Sequence, residues 1–249
     1  MLSVESAISI FLDSFACTRS IARPAEVVNF GPFHAVRDVA RGGDTRREEI
    51  VVPGSVAPED IAAAIADYAP RGRYMIDVYI PADADPKETI LAVKSLGCRF
   101  MRSEPLMVRS TCDVPVPEGK LAVRTVESPA EAARVDKAAG QRQMFSAGQE
   151  HRNCAIRVYY IEDAGSIVAW GRDVLYHADG AYVAGMYTYE SHRRQGLATQ
   201  ILRKMLADDA VAGAEYSVLL ASRAGEKLYL TVGYVQIGTL LMFTPSKKR

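Results

Sequence analysis

The chain has 249 residues with 30 basic and 30 acidic side chains, so its formal net charge is zero. This balance argues against a protein whose bulk charge binds nucleic acid. Hydrophobic residues make up 49% and charged residues 24%, which is ordinary for a globular chain that forms one large domain or two modest ones. No apolar run reaches the ~18 residues of a membrane-spanning helix, so we expect no membrane partner. The balanced charge likewise leads us to expect no nucleic acid as partner.

The four cysteines, Cys17, Cys98, Cys112 and Cys154, are far apart in the sequence. They form no Cys-x-x-Cys pair, so their spacing implies neither a zinc site nor a disulfide framework. We therefore expect no metal and a reducing, cytoplasmic location.

The first 118 residues alternate helical and extended patterns. The clearest helix is Pro58–Tyr68, which opens on proline, has acids in its first turn and repeats apolar residues at helical spacing. The other expected elements are a helix at 4–17, strand character over 27–40 broken at Gly31-Pro32, a turn at 41–45, strands at 48–52 and 73–80, a helix at 86–96 and a strand at 100–109. A linker rich in proline follows at 113–120. We predict an α/β domain over 1–118 and a second domain over 119–249.

The second domain is predicted to contain a mixed sheet with helices on its faces. Its first expected elements are a strand at 121–125, a helix at 129–139, a polar and partly helical segment at 141–152, and strands at 156–161 and 167–175 joined by a turn at 163–165. The strand that follows, at 181–188, leads into the most informative stretch of the chain.

This stretch joins the strand at 181–188 to an amphipathic helix. Gly196 lies at the junction, where the missing Cβ lets the backbone approach a ligand closely. The first helical turn has amide groups without intrahelical partners, and these amides and the helix dipole attract an anion. Arg193 and Arg194 add positive charge just upstream, and Ala198 leaves space. The pattern predicts a phosphate-binding turn that is neither a P-loop nor a dinucleotide-binding glycine motif.

The turn resembles motif A of the GCN5-related N-acetyltransferase (GNAT) superfamily, Arg/Gln-x-x-Gly-x-Gly/Ala, with Arg193, Gly196 and Ala198 at its fixed positions. The later landmarks of that family also follow in order: a strand at 215–221, a short helix carrying Tyr229, and a last strand at 235–243. The resemblance covers roughly residues 120–245. It implies the GNAT acyl-CoA N-acyltransferase fold, an α/β arrangement of a central mixed, mostly antiparallel sheet flanked by helices.

The resemblance also implies an N-acetyltransferase that moves an acetyl group from acetyl-CoA to a primary amine by direct attack in a ternary complex. The acceptor would be a small-molecule or peptide amine. Tyr229 is then the candidate acid, which stabilises the departing thiolate through a hydrogen bond. The residues that would bind acetyl-CoA are Met186, Tyr187 and Thr188 through their main chain, then Arg193, Arg194, Gln195, Gly196, Leu197, Ala198 and Thr199 around the pyrophosphate, and Ser222.

No general base can be identified from the sequence. Some relatives place a Glu early in the motif A strand, but Tyr182 stands near that position here. Glu190, His192 and Glu162 are alternatives, as is a chain of water molecules. Because no base is evident and a large extra region is present, a non-catalytic module that binds acyl-CoA for regulation is the alternative function.

The role of the first region is also open. Each region contains a short helix that ends at a glycine, followed by a strand with a Leu-Met pair (Leu106-Met107 and Leu241-Met242). Residues 1–118 are therefore either a second, degenerate GNAT-like unit in tandem or an unrelated α/β domain. They contain no phosphate-binding turn, and Val93 occupies the position that matches Tyr229. We expect this region to cover the acceptor site or to form a subunit interface, such as that of a homodimer.

Overall fold

The structure is a computed structural model that describes residues 2–39, 47–54, 56–68, 73–114, 119–144, 154–177 and 180–246. The predicted turn at 41–45, half of the linker at 113–120 and most of the segment at 141–152 lie outside these residues. The described part of the last segment, 141–144, is not helical, so the expected partial helix over 141–152 stays a prediction. The other helices and strands predicted for the described ranges are present, with ends that differ by a few residues.

The elements follow one another as α1 (Val4–Ser20), β1 (Ala25–Phe30), β2 (Phe33–Asp38), β3 (Arg47–Val52), α2 (Pro58–Tyr68), β4 (Arg73–Pro81), α3 (Pro86–Ser95), β5 (Cys98–Ser110), β6 (Val123–Thr125), α4 (Pro129–Ala139), β7 (Ala155–Asp163), β8 (Ser166–His177), β9 (Gly180–Thr188), α5 (Leu197–Val211), β10 (Tyr216–Leu220), α6 (Glu226–Thr231) and β11 (Val235–Pro245). A short 3-10 turn, Glu190–His192, separates β9 from α5.

All of these strands belong to one sheet, in the order β1-β2-β3-β4-β11-β5-β10-β9-β8-β7-β6. Most neighbours are antiparallel, and the parallel pairs are β3–β4 and β9–β10. Helices cover both faces. On β5, Leu106 packs in the α1 cluster and its neighbour Met107 packs in the α5 cluster, so α1 and α5 lie on opposite faces. The predicted mixed, mostly antiparallel sheet flanked by helices is confirmed.

The two halves of the chain repeat one topology. The run β1-β2-β3-α2-β4-α3-β5 is matched by β7-β8-β9-α5-β10-α6-β11, with two antiparallel pairings and then a parallel one in each half. The last strand of each half is exchanged: β5 pairs with β10, and β11 pairs with β4. β5 and β11 also pair with each other at the centre of the sheet. The halves are therefore interlocked, and the independence of domains 1–118 and 119–249 stays a prediction.

A disulfide joins the two halves of the chain. The spacing of the cysteines implied no disulfide framework, so the structure corrects that expectation. Cys17 of α1 is bonded to Cys154, just before β7, across 137 residues of sequence, and the Cα atoms are 6.4 Å apart. The pair forms because α1, which belongs to the first half, packs across β8 and β9 of the second. Cys98 and Cys112 are free. No local spacing signals such a bond, since only the packing of α1 brings the two thiols together.

Candidate active site

The parallel strands β9 and β10 separate soon after they meet. Only three residue pairs join them in the described chain, from Gly180↔Tyr216 to Tyr182↔Val218. β9 then runs on to Thr188, while the end of β10 pairs only with β5. The matching strands of the first half, β3 and β4, stay paired over six positions. The second half therefore has a wedge between its parallel strands, where β9 offers unpaired backbone groups to an extended ligand.

A β-bulge shapes the β9 side of the wedge. Trp170 pairs with Tyr187 and Arg172 with Ala184, so two residues of β9 stand opposite one residue of β8. One of the two is Gly185, whose φ of +64° suits glycine. The other, Met186, sends its side chain over Gly171, where an added Cβ would lie 2.2 Å from the Met186 sulfur.

The predicted phosphate-binding turn lies at the end of this strand. Gly196 is the N-cap of α5 with φ +80°, and nothing lies within 4 Å of the position that its Cβ would occupy. Within the described residues no side chain caps the helix, so the first-turn amides of Leu197 to Thr199 are open to an anion. The Thr188 hydroxyl, at the end of β9, is buried without a hydrogen-bond partner in that part of the chain. The open turn fits a phosphate group.

The arginine side chains of the turn have different environments. Arg193 is tied back to β9: its Nε donates to the Thr188 carbonyl at 3.1 Å, and its Nη1 lies 3.3 Å from Glu190. Its guanidinium also lies 5.9 Å from the centre of the Tyr187 ring. Arg194 is exposed and adopts a left-handed φ of 61°. Arg193 thus braces the turn, and the main chain of the turn is left open as the predicted anion site.

The residues predicted to bind acetyl-CoA are brought together as a strand end and one continuous turn. Met186, Tyr187 and Thr188 end β9, and Arg193, Arg194, Gln195, Gly196, Leu197, Ala198 and Thr199 lead into α5. Leu197 is 4% exposed and anchors the turn in the core beneath. Ser222 lies apart from them, just after β10, where its Oγ accepts a hydrogen bond from the Gly225 amide at 3.3 Å.

Tyr229 lies on α6, the helix that follows β10. It is 7% exposed and packs in the same buried cluster as Leu219 and Ala221. Its ring centre is 5.8 Å from that of Tyr234. Burial raises the pKa of Tyr229 to about 12. The phenol therefore keeps its proton at neutral pH and can act as a hydrogen-bond donor.

None of the three side chains considered as a general base is positioned at the wedge. The Glu190 side chain is 85% exposed and pairs with Arg193. The His192 Nε2 lies 3.3 Å from Asp163 at the β7–β8 turn. Glu162 lies on β7, two strands away from β9, and pairs with Arg134 at 2.9 Å.

The structure instead brings an acid from the first half to the wedge. Glu104 lies on β5, and the carbonyl of its neighbour Pro105 accepts a hydrogen bond from the Ala221 amide at the end of β10 (2.9 Å). Glu104 pairs with Leu240, which packs in the α1 cluster, so Glu104 lies on the α1 face of the sheet. Tyr182 belongs to the same cluster and lies on the same face. Burial is the main cause that raises the pKa of Tyr182 above its usual value, and the Glu104 charge is the next. No sequence signal marked Glu104, because the β5–β10 pairing joins distant parts of the chain.

Two further properties concern the described residues only. Among its residues, no three His, Cys, Asp or Glu side chains come together as a metal site requires. None of the helices in the described ranges combines the length and the apolar character of a membrane span.

Comparison with known proteins links this geometry to a family. Residues 155–236 match the family model described as acetyltransferase (GNAT) domain. No curated protein matches the sequence. Among solved structures, a GCN5-related N-acetyltransferase from Kribbella flavida has a TM-score of 0.70 and 20% identity, with 100% of this chain and 98% of that one covered.

Two more distant structures share the fold over nearly the whole chain. A tandem GNAT protein from the clavulanic acid biosynthesis pathway has a TM-score of 0.58 and 13% identity, covering 97% of this chain and 95% of its own. A GCN5-related N-acetyltransferase from Sphaerobacter thermophilus has a TM-score of 0.58 and 16% identity, with coverages of 96% and 91%. The family match contains β7 to α6, and therefore the wedge, the turn and Tyr229. Residues 155–236 thus match the acetyltransferase (GNAT) domain model, and the sheet that contains them has the fold of the solved GNAT structures.

Proposed function

We propose that the protein is an N-acetyltransferase that moves an acetyl group from acetyl-CoA to a primary amine, by direct attack in a ternary complex. The observation that carries the proposal is the open, uncapped turn at Gly196 next to the wedge between β9 and β10. A pyrophosphate would accept hydrogen bonds from the first-turn amides of α5. The unpaired main chain of Met186 to Thr188 would pair with the pantetheine amides.

Tyr229 would act at the sulfur of the leaving group. With its pKa near 12 and that of a thiol near ~8.5, complete proton transfer to the thiolate is uphill by about 5 kcal/mol. A hydrogen bond that strengthens as negative charge develops on sulfur avoids this cost. We therefore assign Tyr229 the role of a hydrogen-bond donor to the departing thiolate.

Glu104 would receive the proton of the amine, directly or through water. An alkyl amine has a pKa of about 10, so it must lose a proton before it attacks a thioester. Glu104 is the acid beside the wedge on the α1 face, and Arg102 holds its carboxylate at 2.7 Å. This assignment gives the first half of the chain a direct part in the reaction.

The alternative, a non-catalytic module that binds acyl-CoA, is favoured by one observation. Tyr182, rather than an acid, occupies the early part of β9, and it is 7% exposed. Turnover separates the two functions. The cytoplasmic location, the absence of a metal and the formation of a homodimer stay predictions.

The first experiment measures acetyl-CoA binding by calorimetry in the wild type, Gly196→Trp and Gly54→Trp. Gly54 is the matched control: it precedes α2 in the first half, has φ +70°, and has nothing within 4 Å of its added Cβ. Both variants therefore carry similar backbone strain. We expect micromolar binding in the wild type and in Gly54→Trp, and none in Gly196→Trp, because the indole fills the space of the pyrophosphate.

A thiol-release assay with a panel of amines then tests turnover. We expect release in the wild type, and a loss of at least 10-fold at neutral pH in Glu104→Gln with acetyl-CoA binding unchanged. Binding without release on any amine would favour the regulatory module. No binding by the wild type would refute the proposal.

A further inference from the structure

A cavity of about 790 Å³ opens where the two halves of the chain meet. Arg19, Arg23 and Arg47 line it from the first half, and Arg142 and Arg172 line it from the second. We call these five residues the arginine pocket. Among the described lining residues Asp38 is the only acid, and it is paired with Arg19 at 2.5 Å. In a chain with equal numbers of acids and bases, this is a local excess of positive charge that attracts anions.

Arg172 is a partly buried cation of the arginine pocket. It lies on β8, and its Nη1 donates to the side-chain and main-chain oxygens of Gln143 at 3.2 and 3.4 Å. Its Nε is buried and has no hydrogen-bond partner in the described chain. The one acid among the described lining residues, Asp38, is paired with Arg19 instead. The charge of Asp136 reaches it, but that carboxylate already accepts a hydrogen bond from the Gln143 amide at 2.8 Å. Within the described residues Arg172 is therefore a partly buried cation without an ionic partner, which is costly, and a bound anion would lower that cost.

A buried acid close to the cavity offsets part of the positive charge of the arginine pocket. Glu49 is 5% exposed and lies close enough to Arg19 and Arg47 to feel both charges. It faces the first-half side of the pocket, where the Arg19–Asp38 pair already lies. The excess of positive charge is therefore greatest on the side of Arg142 and Arg172.

The same side of the pocket reaches the bulge of β9. A Cβ added to Gly185 would lie 3.6 Å from the Arg172 Nε and 3.4 Å from the Gln143 Oε1. Gly185 begins the bulge that opens onto the wedge, where the proposed acyl transfer takes place. A ligand that contacts Arg172 can therefore extend to the reacting centre.

We propose that the arginine pocket binds the anionic group of the acceptor, so that the preferred acceptors are primary amines that also carry a carboxylate or a phosphate. Both groups accept paired hydrogen bonds from the planar guanidinium of arginine. This inference rests on the proposed acyl transfer and names its substrate class. It also gives both halves a part in binding the acceptor, since three of the five arginines come from the first half.

The test compares amines in matched sets. Each set contains an amino carboxylate, its primary carboxamide and the phosphate ester of the corresponding amino alcohol, assayed by thiol release from acetyl-CoA. We expect the wild type to prefer the carboxylate or the phosphate over the neutral amide by about 10- to 100-fold in kcat/KM. The preferred member of each set shows whether the pocket binds a carboxylate or a phosphate.

Three variants locate the effect. Arg172→Met and Arg142→Met should raise KM for the anionic amine, by about 10- to 100-fold in the first and by less in the second, because Arg142 is exposed. KM for acetyl-CoA and turnover of the neutral amide should stay unchanged. Arg99→Met, which removes an exposed arginine of β5 outside the pocket, is the matched control and should behave as the wild type. Arg142→Met keeps the test valid if Arg172→Met fails to fold.

A second measurement does not depend on turnover. Glutarate and inorganic phosphate are titrated into the wild type and the three variants, with binding followed by ligand-observed NMR. Binding of either probe that is lost in Arg172→Met or Arg142→Met, and kept in Arg99→Met, supports the site.

Three results would overturn the inference. The first is the absence of probe binding by the wild type, and the second is equal turnover of neutral and anionic amines, which would leave the proposed acyl transfer intact. The third is a preference for an acidic acyl-CoA such as succinyl-CoA that depends on Arg172, because the pocket would then bind the acyl group. If acetyl-CoA does not bind at all, the proposed function fails, while probe binding still decides whether the anion site exists.

Discussion

At the scale of single residues, the candidate site depends on positions whose neighbours leave room. Gly196 has open space where a side chain would begin, and a Cβ at Gly185 would meet Arg172 and Gln143 only in ordinary van der Waals contact, at 3.4 to 3.7 Å. Both adopt left-handed backbone angles that favour glycine. Gly196 leaves room for a phosphate, and Gly185 allows β9 to form its bulge next to the arginine pocket. A motif identifies Gly196, but only the contacts in space identify Gly185.

Tyr229→Phe tests the role of the phenol at the same scale. The ring keeps its packing, so we expect acetyl-CoA binding to be retained while kcat falls by about 100-fold, because the donor to the thiolate is lost. Since the pKa of Tyr229 is raised to about 12, its protonated form persists on the alkaline side. Ionisation of Tyr229 should therefore not lower wild-type kcat below about pH 10. Steady-state kinetics between pH 6 and 10 measure both effects.

Tyr234→Phe is the control for this variant. The Tyr234 hydroxyl lies 2.7 Å from the Ser217 hydroxyl within the core, so its loss should lower the free energy of unfolding by about 1 to 2 kcal/mol with kcat unchanged. A Tyr229→Phe enzyme with wild-type kcat would show that the residue only packs in the core.

At the scale of elements, buried charges hold α5 to the sheet. Arg157 of β7 lies 2.7 Å from the Asp173 carboxylate on β8 and also contacts Asp209 of α5. Both acids are fully buried, and two carboxyl groups share one guanidinium. Burial, with the Asp173 charge as the next cause, raises the pKa of Asp209 to about 9. The helix that carries the phosphate-binding turn is thus held by a group that stays protonated at neutral pH.

This shift predicts that stability depends on pH. In the unfolded chain Asp209 titrates near ~3.9, so between about pH 4 and 9 the folded state holds a proton that unfolding releases. The free energy of unfolding should fall as pH rises through this window, by up to about 1.4 kcal/mol per pH unit. Asp209→Asn removes the titration and should flatten the curve. Urea unfolding at pH 5.5, 7 and 8.5 measures the difference, and equal slopes in the two proteins would contradict the prediction.

At the scale of the whole molecule, the exchanged strands make each half depend on the other. β11 pairs with β4 and β5, and β10 pairs with β5 on one side, so the second half alone leaves β11 without a neighbour and β10 with β9 only. The Cys17–Cys154 disulfide adds a covalent link between the halves. The wedge receives Glu104 from the first half, which gives the interlocking a functional consequence.

The domains predicted at 1–118 and 119–249 can be tested as fragments. Because exposed strand edges and a divided core destabilise each piece, we expect neither fragment to unfold cooperatively on its own. Mixing or co-expressing the two should restore a folded complex, as followed by circular dichroism and size-exclusion chromatography. A cooperative unfolding transition in the isolated 119–249 fragment would show instead that the second half is an independent domain.

The sequence by itself determined the elements and the chemistry of one turn. Helix-opening prolines and apolar spacing are local signals, so Pro58–Tyr68 and Pro129–Ala139 were predicted with the bounds that the structure has. The strand-to-helix turn around Gly196 is also local, because its glycine, its arginines and its uncapped amides lie within a few residues of one another. The family match at 155–236 agrees with that prediction.

Only the tertiary structure decided what surrounds the turn. The strand exchange, the Cys17–Cys154 bond, the approach of Glu104 and the five arginines of the arginine pocket all join residues that are distant in sequence. No local pattern encodes such contacts, since they depend on which strands pair and on which face each side chain points. The turn proposed to bind an anion is therefore a local property of the sequence, whereas the acid and the cations that would select an acceptor are properties of the folded chain.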